Sequence, residues 1–192
     1  MSSKACCDAG KPVQINYEPK GKFSKAGDLP IYQTGSGERG VVVVPDIFGF
    51  GEKQVKHEVA AAVEALRADG ANKLGCLGFC WAVGVALRAG QDASTFSAVG
   101  GAHPALFGHD KELAQKLAVP VVLLPAKGDA PLEPIQHILD KKPFGSKCVY
   151  QRFDDQIHGF VAARGDWSQP DVAAAAGRAI EIMTHFLEKN LA

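Results

Sequence analysis

Long apolar runs and helical stripes of apolar residues alternate along most of this chain. The first run, GVVVVPDIFGF at residues 40–50, is closed by proline and glycine, which predicts a strand buried on both faces. Apolar residues then recur at helical spacing within residues 53–69, at Val55, Val59, Val63 and Leu66. Gly70 follows this stripe and predicts its end. Together the two segments predict one strand-helix unit.

Four more units of the same kind follow. Their strands are predicted at KLGCLGF, FSAVGGAHP, VPVVLLPAKGD and KCVYQRF, and their helices at residues 80–90, 110–118, 131–141 and 171–190. Five such units with short connections predict a parallel sheet with helices packed on both faces, that is, an α/β fold. We interpret residues 1–192 as one domain, in which residues 1–39 form an N-terminal arm and an edge hairpin around DLPIYQTGSGERG.

Charge and composition narrow the function classes. The chain has 192 residues, of which 46% are hydrophobic, with 21 basic and 21 acidic residues and a formal net charge of zero. A chain with balanced charge lacks the excess of positive charge with which proteins bind nucleic acid or an anionic membrane. The N-terminus has no signal-like apolar segment, and no apolar run is long enough for a membrane span. We therefore expect a cytoplasmic protein with no nucleic-acid or membrane partner.

The chain has five cysteines, at positions 6, 7, 76, 80 and 148. Cys6 and Cys7 could form a redox or metal pair, but no second pair has ligand spacing, and a flexible terminus is favoured. Cys76 and Cys148 have the surroundings of small core hydrophobes. Only Cys80 falls where a strand stops and a helix starts.

Polar residues follow each of the five predicted strands: Asp46, Cys80, His103, Asp129 and His158. In an open parallel sheet, ligand-binding and catalytic residues lie at the carboxyl ends of the strands. We therefore expect these five side chains at one rim of the sheet.

The segment GFCWA has the shape of the nucleophile elbow G-x-S-x-G, with cysteine in place of serine. The chain order Cys80, Asp129, His158 is the nucleophile, acid, histidine order of α/β-hydrolases. In this interpretation His158 takes the thiol proton and Asp129 holds the imidazole in the required tautomer. The backbone N–H groups of Ile47 and Trp81 would form the oxyanion hole, while the Trp81 indole packs.

Rivals exist for two of these positions. His103 could be the base, but it precedes the acid, so a structural hydrogen bond or a place in the substrate-binding wall is favoured. Asp154 and Asp155 compete with Asp129, although they could simply cap a turn before His158. The remaining histidines lack ligand spacing, so no metal site is expected.

The combination of GFCW, HPAL, an acid after VVLLPAKGD, and DQIHGF resembles the dienelactone hydrolase family, carboxymethylenebutenolidase-like and in particular its eukaryotic and fungal branch. The resemblance implies an α/β-hydrolase fold, cleavage of a small ester, lactone or thioester through a thioester on Cys80, and no cofactor. It also implies that Asp46 is the acidic partner of the resting thiol, where it competes with a helix-start role. The resemblance also matches Arg164 to an arginine that binds a substrate carboxylate, although we favour a solvated surface charge at this position.

The chain departs from the family in two places. It lacks one βα unit between the first core strand and the elbow, and Ala82 and Val83 stand where the family continues with two glycines. These departures support an alternative, a catalytically impaired module that binds a small carboxylate or a protein partner. A thiol redox protein is weaker, because no C-x-x-C motif surrounds Cys80. We expect a monomer or a weak homodimer.

Overall fold

The computed structural model describes residues 12–13, 18–47 and 55–192, with only the backbone at 55–58. The strands are β1 (Lys22–Ala26), β2 (Leu29–Gln33), β3 (Arg39–Val44), β4 (Lys73–Phe79), β5 (Ala98–Ala102), β6 (Val121–Leu124), β7 (Ala126–Lys127), β8 (Val149–Tyr150) and β9 (Phe153–Ile157). The helices are α1 (Val55–Ala68), α2 (Ala82–Ala89), α3 (Asp110–Lys116), α4 (Glu133–Leu139) and α5 (Pro170–Asn190). Cys6 and Cys7 lie outside the described residues.

The main sheet consists of five parallel strands in the order β3-β4-β5-β6-β8. Because each strand pairs with the next strand of this sheet in chain order, right-handed crossovers carry the connecting helices to the same face. Helices α1 to α4 contribute to the apolar core on that face, and α5 covers the other. The predicted α/β-hydrolase-like fold is confirmed, and within the described residues α1 is the helix found between β3 and β4.

Strand β6 shows why the apolar runs are continuous. Val121 and Leu123 pack into the core under α1 to α4, while Val122 and Leu124 pack into the core under α5. Successive side chains of a strand point to opposite faces, so a strand covered on both sides needs apolar residues at every position.

The predicted strand at residues 119–129 is divided into β6 and β7 by Pro125, which has no N–H to donate to a ladder. The segment beside it is also divided, into β8 and β9, so the prediction of one strand at residues 147–153 was wrong. The second halves form a separate parallel pair, β7-β9, beyond the main sheet. This pair carries the chain toward Asp129 on one side and His158 on the other.

The predicted hairpin forms from β1 and β2, which turn at Gly27 with a φ of 61°. It was expected at an edge of the sheet, but it makes a separate two-stranded sheet and lies against α1. The side chain of Gln33 donates a hydrogen bond to the Asp69 carboxylate just after α1, which ties the hairpin to that helix. Among the described residues, β3 therefore has a ladder partner on one side only.

Candidate active site

The five polar residues that follow the strands lie together at the carboxyl rim of the sheet and are all buried: Asp46, Cys80, His103, Asp129 and His158. We call them the strand-end cluster. Hydrogen bonds or ring contacts connect four of them in series, from Cys80 through His103 and His158 to Asp129. The topology therefore produces the expected convergence of side chains.

The turn at Cys80 is a strained strand-to-helix turn. Only Cys80 and Trp81 separate β4 from α2, and Cys80 adopts a φ of 60°, which is rare for a residue with a side chain. Its N–H donates to the Ala102 carbonyl at 3.3 Å and to His103 Nδ1 at 3.2 Å. Its own carbonyl accepts from the N–H groups of Val83 and Ala105. These contacts on both sides of the residue offset the strain of the left-handed conformation.

Two glycines allow this turn to approach the sheet closely. A Cβ on Gly78 would lie 2.1 Å from the Ala82 carbonyl oxygen, and one on Gly101 would lie 1.8 Å from the Gly78 oxygen. Both contacts are with backbone, which cannot move aside as a flexible side chain can. The Val83 side chain, in contrast, is fully buried in the core and is accommodated there.

The carboxylate of Asp129 is fixed by two contacts. Its Oδ2 accepts a hydrogen bond from the Ala126 N–H at 2.8 Å, and its Oδ1 accepts one from His158 Nδ1 at 2.6 Å. The turn that carries it is closed by an Asp129 N–H bond to the Ala126 carbonyl, with Gly128 at a φ of 82°. Glycine suits this third position of a turn because its φ is positive.

The Asp129 contact also decides the tautomer of His158. An ionised carboxylate only accepts, so Nδ1 carries the proton and Nε2 of the neutral ring has a free lone pair. Nε2 is buried and has no hydrogen-bond partner among the described residues. By comparison, Asp154 is 76% exposed and pairs with Arg152, and Asp155 is also exposed.

His103 lies beneath the turn with no exposed surface. The pKa of His103 is lowered to about 3, mainly by burial and to a smaller extent by the neighbouring His158 and Arg164. The neutral ring accepts the Cys80 N–H at Nδ1, so it supports the elbow through a structural hydrogen bond. The other expectation was a contact between His103 and substrate. In this structure His103 has no exposed atom that could make such a contact.

Asp46 and Arg164 approach the cluster from its outer side. Asp46 Oδ2 accepts a hydrogen bond from the Ala163 N–H at 3.4 Å, which joins the segment after β3 to the loop after His158. A Cβ on Gly159 would lie 3.0 Å from the Arg164 side chain, so the arginine stem runs over the residue next to His158. Arg164 is half-buried rather than a fully solvated charge.

The two backbone N–H groups expected to form an oxyanion hole belong to Ile47 and Trp81. Ile47 follows β3, and Trp81 comes directly after Cys80. The Trp81 indole packs against Cys80 and Ala105. The ring therefore packs as expected, and the oxyanion role of the two backbone donors stays a prediction.

The other described cysteines lie outside this cluster. Cys76 is fully buried in the core, and burial raises the pKa of its thiol to about 12. The half-buried Cys148 donates weakly to the Phe144 carbonyl at 3.8 Å. None of the described cysteines forms a disulfide with another.

Two features were not found from the sequence. The guanidinium of Arg152 donates hydrogen bonds to three carbonyls around Asp129. An apolar cavity of about 490 Å³ also lies between the hairpin, β3 and α1, with Pro45 and Trp81 in its wall. Neither has a local sequence signature, because both depend on segments that the fold brings together.

Comparison with known proteins decides the family. The sequence model of the dienelactone hydrolase family matches residues 50–191, which include the elbow, Asp129 and His158. The chain belongs to the dienelactone hydrolase family. Two AIM2 family proteins of Schizosaccharomyces pombe are each 30% identical to it, over 101 and 118 residues, or 52% and 59% of this chain. The matches span 40% and 46% of those relatives, and a fungal source fits the expected eukaryotic branch.

Solved structures of dienelactone hydrolase and esterase type share the fold. An esterase of Pyrococcus furiosus aligns with a TM-score of 0.63 at 12% identity, covering 96% of this chain and 100% of that one. A dienelactone hydrolase-like promiscuous phosphotriesterase from metagenomic libraries aligns with a TM-score of 0.57 at 16% identity, covering 90% and 98%. No helix within the described ranges is both long and apolar enough to cross a bilayer.

Proposed function

We propose that this protein is a cysteine hydrolase that cleaves a small ester, lactone or thioester. Cys80 is the nucleophile, His158 the general base and Asp129 the residue that orients it. The observation that carries the proposal is the 2.6 Å contact between Asp129 and His158, at the same buried rim as a cysteine with a φ of 60°. A strained nucleophile beside an oriented base is the arrangement that nucleophilic catalysis needs.

In the first half of the reaction, His158 Nε2 accepts the thiol proton and Cys80 Sγ attacks the carbonyl carbon. A C–S bond forms and the carbonyl electron pair moves to oxygen, where the N–H groups of Ile47 and Trp81 donate to it. The tetrahedral intermediate then collapses. The C–O bond to the leaving group breaks, the alcohol takes the proton from His158, and a thioester on Cys80 remains.

In the second half, water replaces the alcohol. His158 accepts a proton from water as the water oxygen attacks the thioester carbonyl carbon. The C–S bond breaks, the acid leaves and the thiolate regains its proton. Throughout, Asp129 holds the Nδ1 proton and stabilises the imidazolium without itself being protonated.

The surroundings of the cluster suggest the substrate. Arg164, half-buried beside His158, supports a substrate with an acidic group, which a cation attracts. The apolar cavity of about 490 Å³ has Pro45 and Trp81 in its lining, two residues before the proposed donor Ile47 and at the proposed donor Trp81. We propose that it receives an apolar part of the ester, since its volume is in the range of small-molecule sites.

The test is hydrolysis of a panel of chromogenic esters and thioesters by wild type, Cys80→Ala, His158→Ala and Cys148→Ala. We expect turnover by wild type and by Cys148→Ala, in which a half-buried cysteine outside the cluster is removed. Turnover should fall at least about a thousandfold in the other two variants. Circular dichroism on each sample checks that it is folded.

Two outcomes oppose the proposal. Full turnover by Cys80→Ala would show that another group performs the chemistry. A folded wild type with no turnover on the whole panel would favour the alternative, a fold of this family that binds a small carboxylate or a protein partner.

A further inference from the structure

Arg152 lies between β8 and β9, and its guanidinium contacts the backbone of the turn that carries Asp129. Its Nη1 donates to the Ala126 carbonyl at 3.0 Å. Its Nη2 donates to the carbonyls of Asp129 at 2.8 Å and Ala130 at 3.0 Å. One side chain therefore binds the beginning and the end of the turn that carries the Asp129 carboxylate.

The backbone of Arg152 directly precedes β9, the strand that leads to His158. The next residue, Phe153, begins β9 and donates its N–H to the Pro125 carbonyl at 2.9 Å. Strand β9 ends at Ile157, directly before His158. Since β7 and β9 pair over only a few residues, the guanidinium adds a second attachment between the two segments.

From this geometry we propose that Arg152 is a positioning residue that sets the Asp129–His158 hydrogen bond. Its kinetic consequence rests on the proposed function. The guanidinium suits the task because its planar fork presents five donors in fixed directions, whereas a lysine ammonium is a single flexible donor centre. The nearby Asp154 carboxylate, 3.8 Å from Nε and 76% exposed, adds little, because exposed ion pairs are weak.

The experiment compares Arg152→Ala and Arg152→Lys with Arg178→Ala, which removes an exposed arginine on α5. In Arg152→Ala we expect kcat to fall about tenfold to a hundredfold, with KM within about twofold, because a small misplacement of the acid lowers the rate rather than binding. Arg152→Lys should lie between Arg152→Ala and wild type. Arg178→Ala should match wild type.

Two readouts separate positioning from a merely structural role. We expect the proton NMR signal of His158 Nδ1–H to lie downfield in wild type, because of the 2.6 Å bond to Asp129, and to broaden or move upfield in Arg152→Ala. Added ethylguanidinium should restore kcat to Arg152→Ala, since the site is 31% exposed, while ethylammonium should not. Neither effect is expected from a general loss of stability.

A folded Arg152→Ala with unchanged kcat and an unchanged Nδ1–H signal would overturn the proposal. The proposal would also be overturned if Arg152→Ala lowered thermal stability but left kcat and the Nδ1–H signal at their wild-type values. If Arg152→Ala fails to fold, Arg152→Lys and Arg152→Gln undergo the same NMR comparison. If Cys80→Ala retains turnover, the proposed function fails, and the NMR signal still tests the positioning.

Discussion

The strand-end cluster and the open edge formed by β1, β2, β3 and α1 are built in opposite ways. In the cluster, backbone N–H groups bind three of the polar side chains: Ala126 binds Asp129, Cys80 binds His103, and Ala163 binds Asp46. At the open edge, Val43 on β3 is 56% exposed and an apolar cavity separates the hairpin from the strand. The comparison teaches that backbone contacts fix the geometry proposed for catalysis, while the edge has the space that we propose for the substrate.

The missing βα unit explains much of this difference. Within the described residues, α1 lies between β3 and β4, and β3 is at one end of the strand order of the main sheet. Asp129 and His158 follow β7 and β9, which pair beyond the main sheet. A unit missing beside β3 would therefore affect the edge near the proposed oxyanion donors rather than the contact between Asp129 and His158.

The largest expected effect comes from breaking the cluster at Asp129. Asp129→Asn keeps the size of the side chain but can donate to His158 Nδ1, which favours the wrong tautomer of the ring. We expect kcat to fall about 10³-fold to 10⁴-fold. The matched control is Asp154→Asn, because that carboxylate is exposed and does not contact His158. Equal losses of activity in the two variants would mean that the Asp129 contact has no special role.

A second prediction concerns the pH dependence of stability at His103. Its pKa is lowered from 6.5 to about 3 in the folded protein, mainly by burial, so the unfolded chain binds a proton that the native chain excludes. This contribution to stability is fully present above about pH 6.5 and is lost as pH falls toward 3. The unfolding equilibrium constant should rise by up to about tenfold for each unit by which the pH falls in that window.

Urea titrations between pH 4.5 and 7.5 check this prediction on wild type and His103→Asn. Asparagine tolerates the positive φ of 42° and offers an oxygen for the Cys80 N–H, but does not titrate. The variant should show a flatter dependence of the free energy of unfolding on pH. Parallel curves for the two proteins would show that His103 does not exclude a proton on folding.

The smallest effect is expected at the open edge. Ala62 on α1 lines the cavity, whereas Ala60 on the same helix is exposed and does not line it. Ala62→Phe should raise KM for long-chain esters about threefold to tenfold, roughly 1 kcal/mol of lost apolar contact, and leave kcat for acetyl esters unchanged. Ala60→Phe should have no such effect. The same KM for short and long acyl chains in Ala62→Phe would exclude the cavity as an acyl site.

The sequence predicts most of the fold because its core strands are apolar runs with clear ends. Strand β4 was expected at residues 73–79 and lies there, since the run ends where Cys80 and the helical pattern begin. The interruption at Pro125 was missed, although a proline within a strand is a local signal. The separation of the hairpin from the sheet depends on packing against α1 and has no such signal.

The candidate site was predictable as a set of strand ends but not as a set of contacts. Topology alone collects Asp46, Cys80, His103, Asp129 and His158 at one rim. The choice of Asp129 over its neighbours near His158, and the support that Cys80 receives from His103, depend on distances that only the folded chain defines. The roles in catalysis stay predictions that rest on chemistry.

The measurement that tests the central claim most directly is intact-mass spectrometry of protein quenched in acid during turnover of an activated ester, followed by peptide mapping. The account predicts one acyl group on Cys80, formed as fast as the leaving group is released, and no such label in Cys80→Ala. Leaving-group release with no label on Cys80, or with a kinetically competent label on another residue, would contradict it.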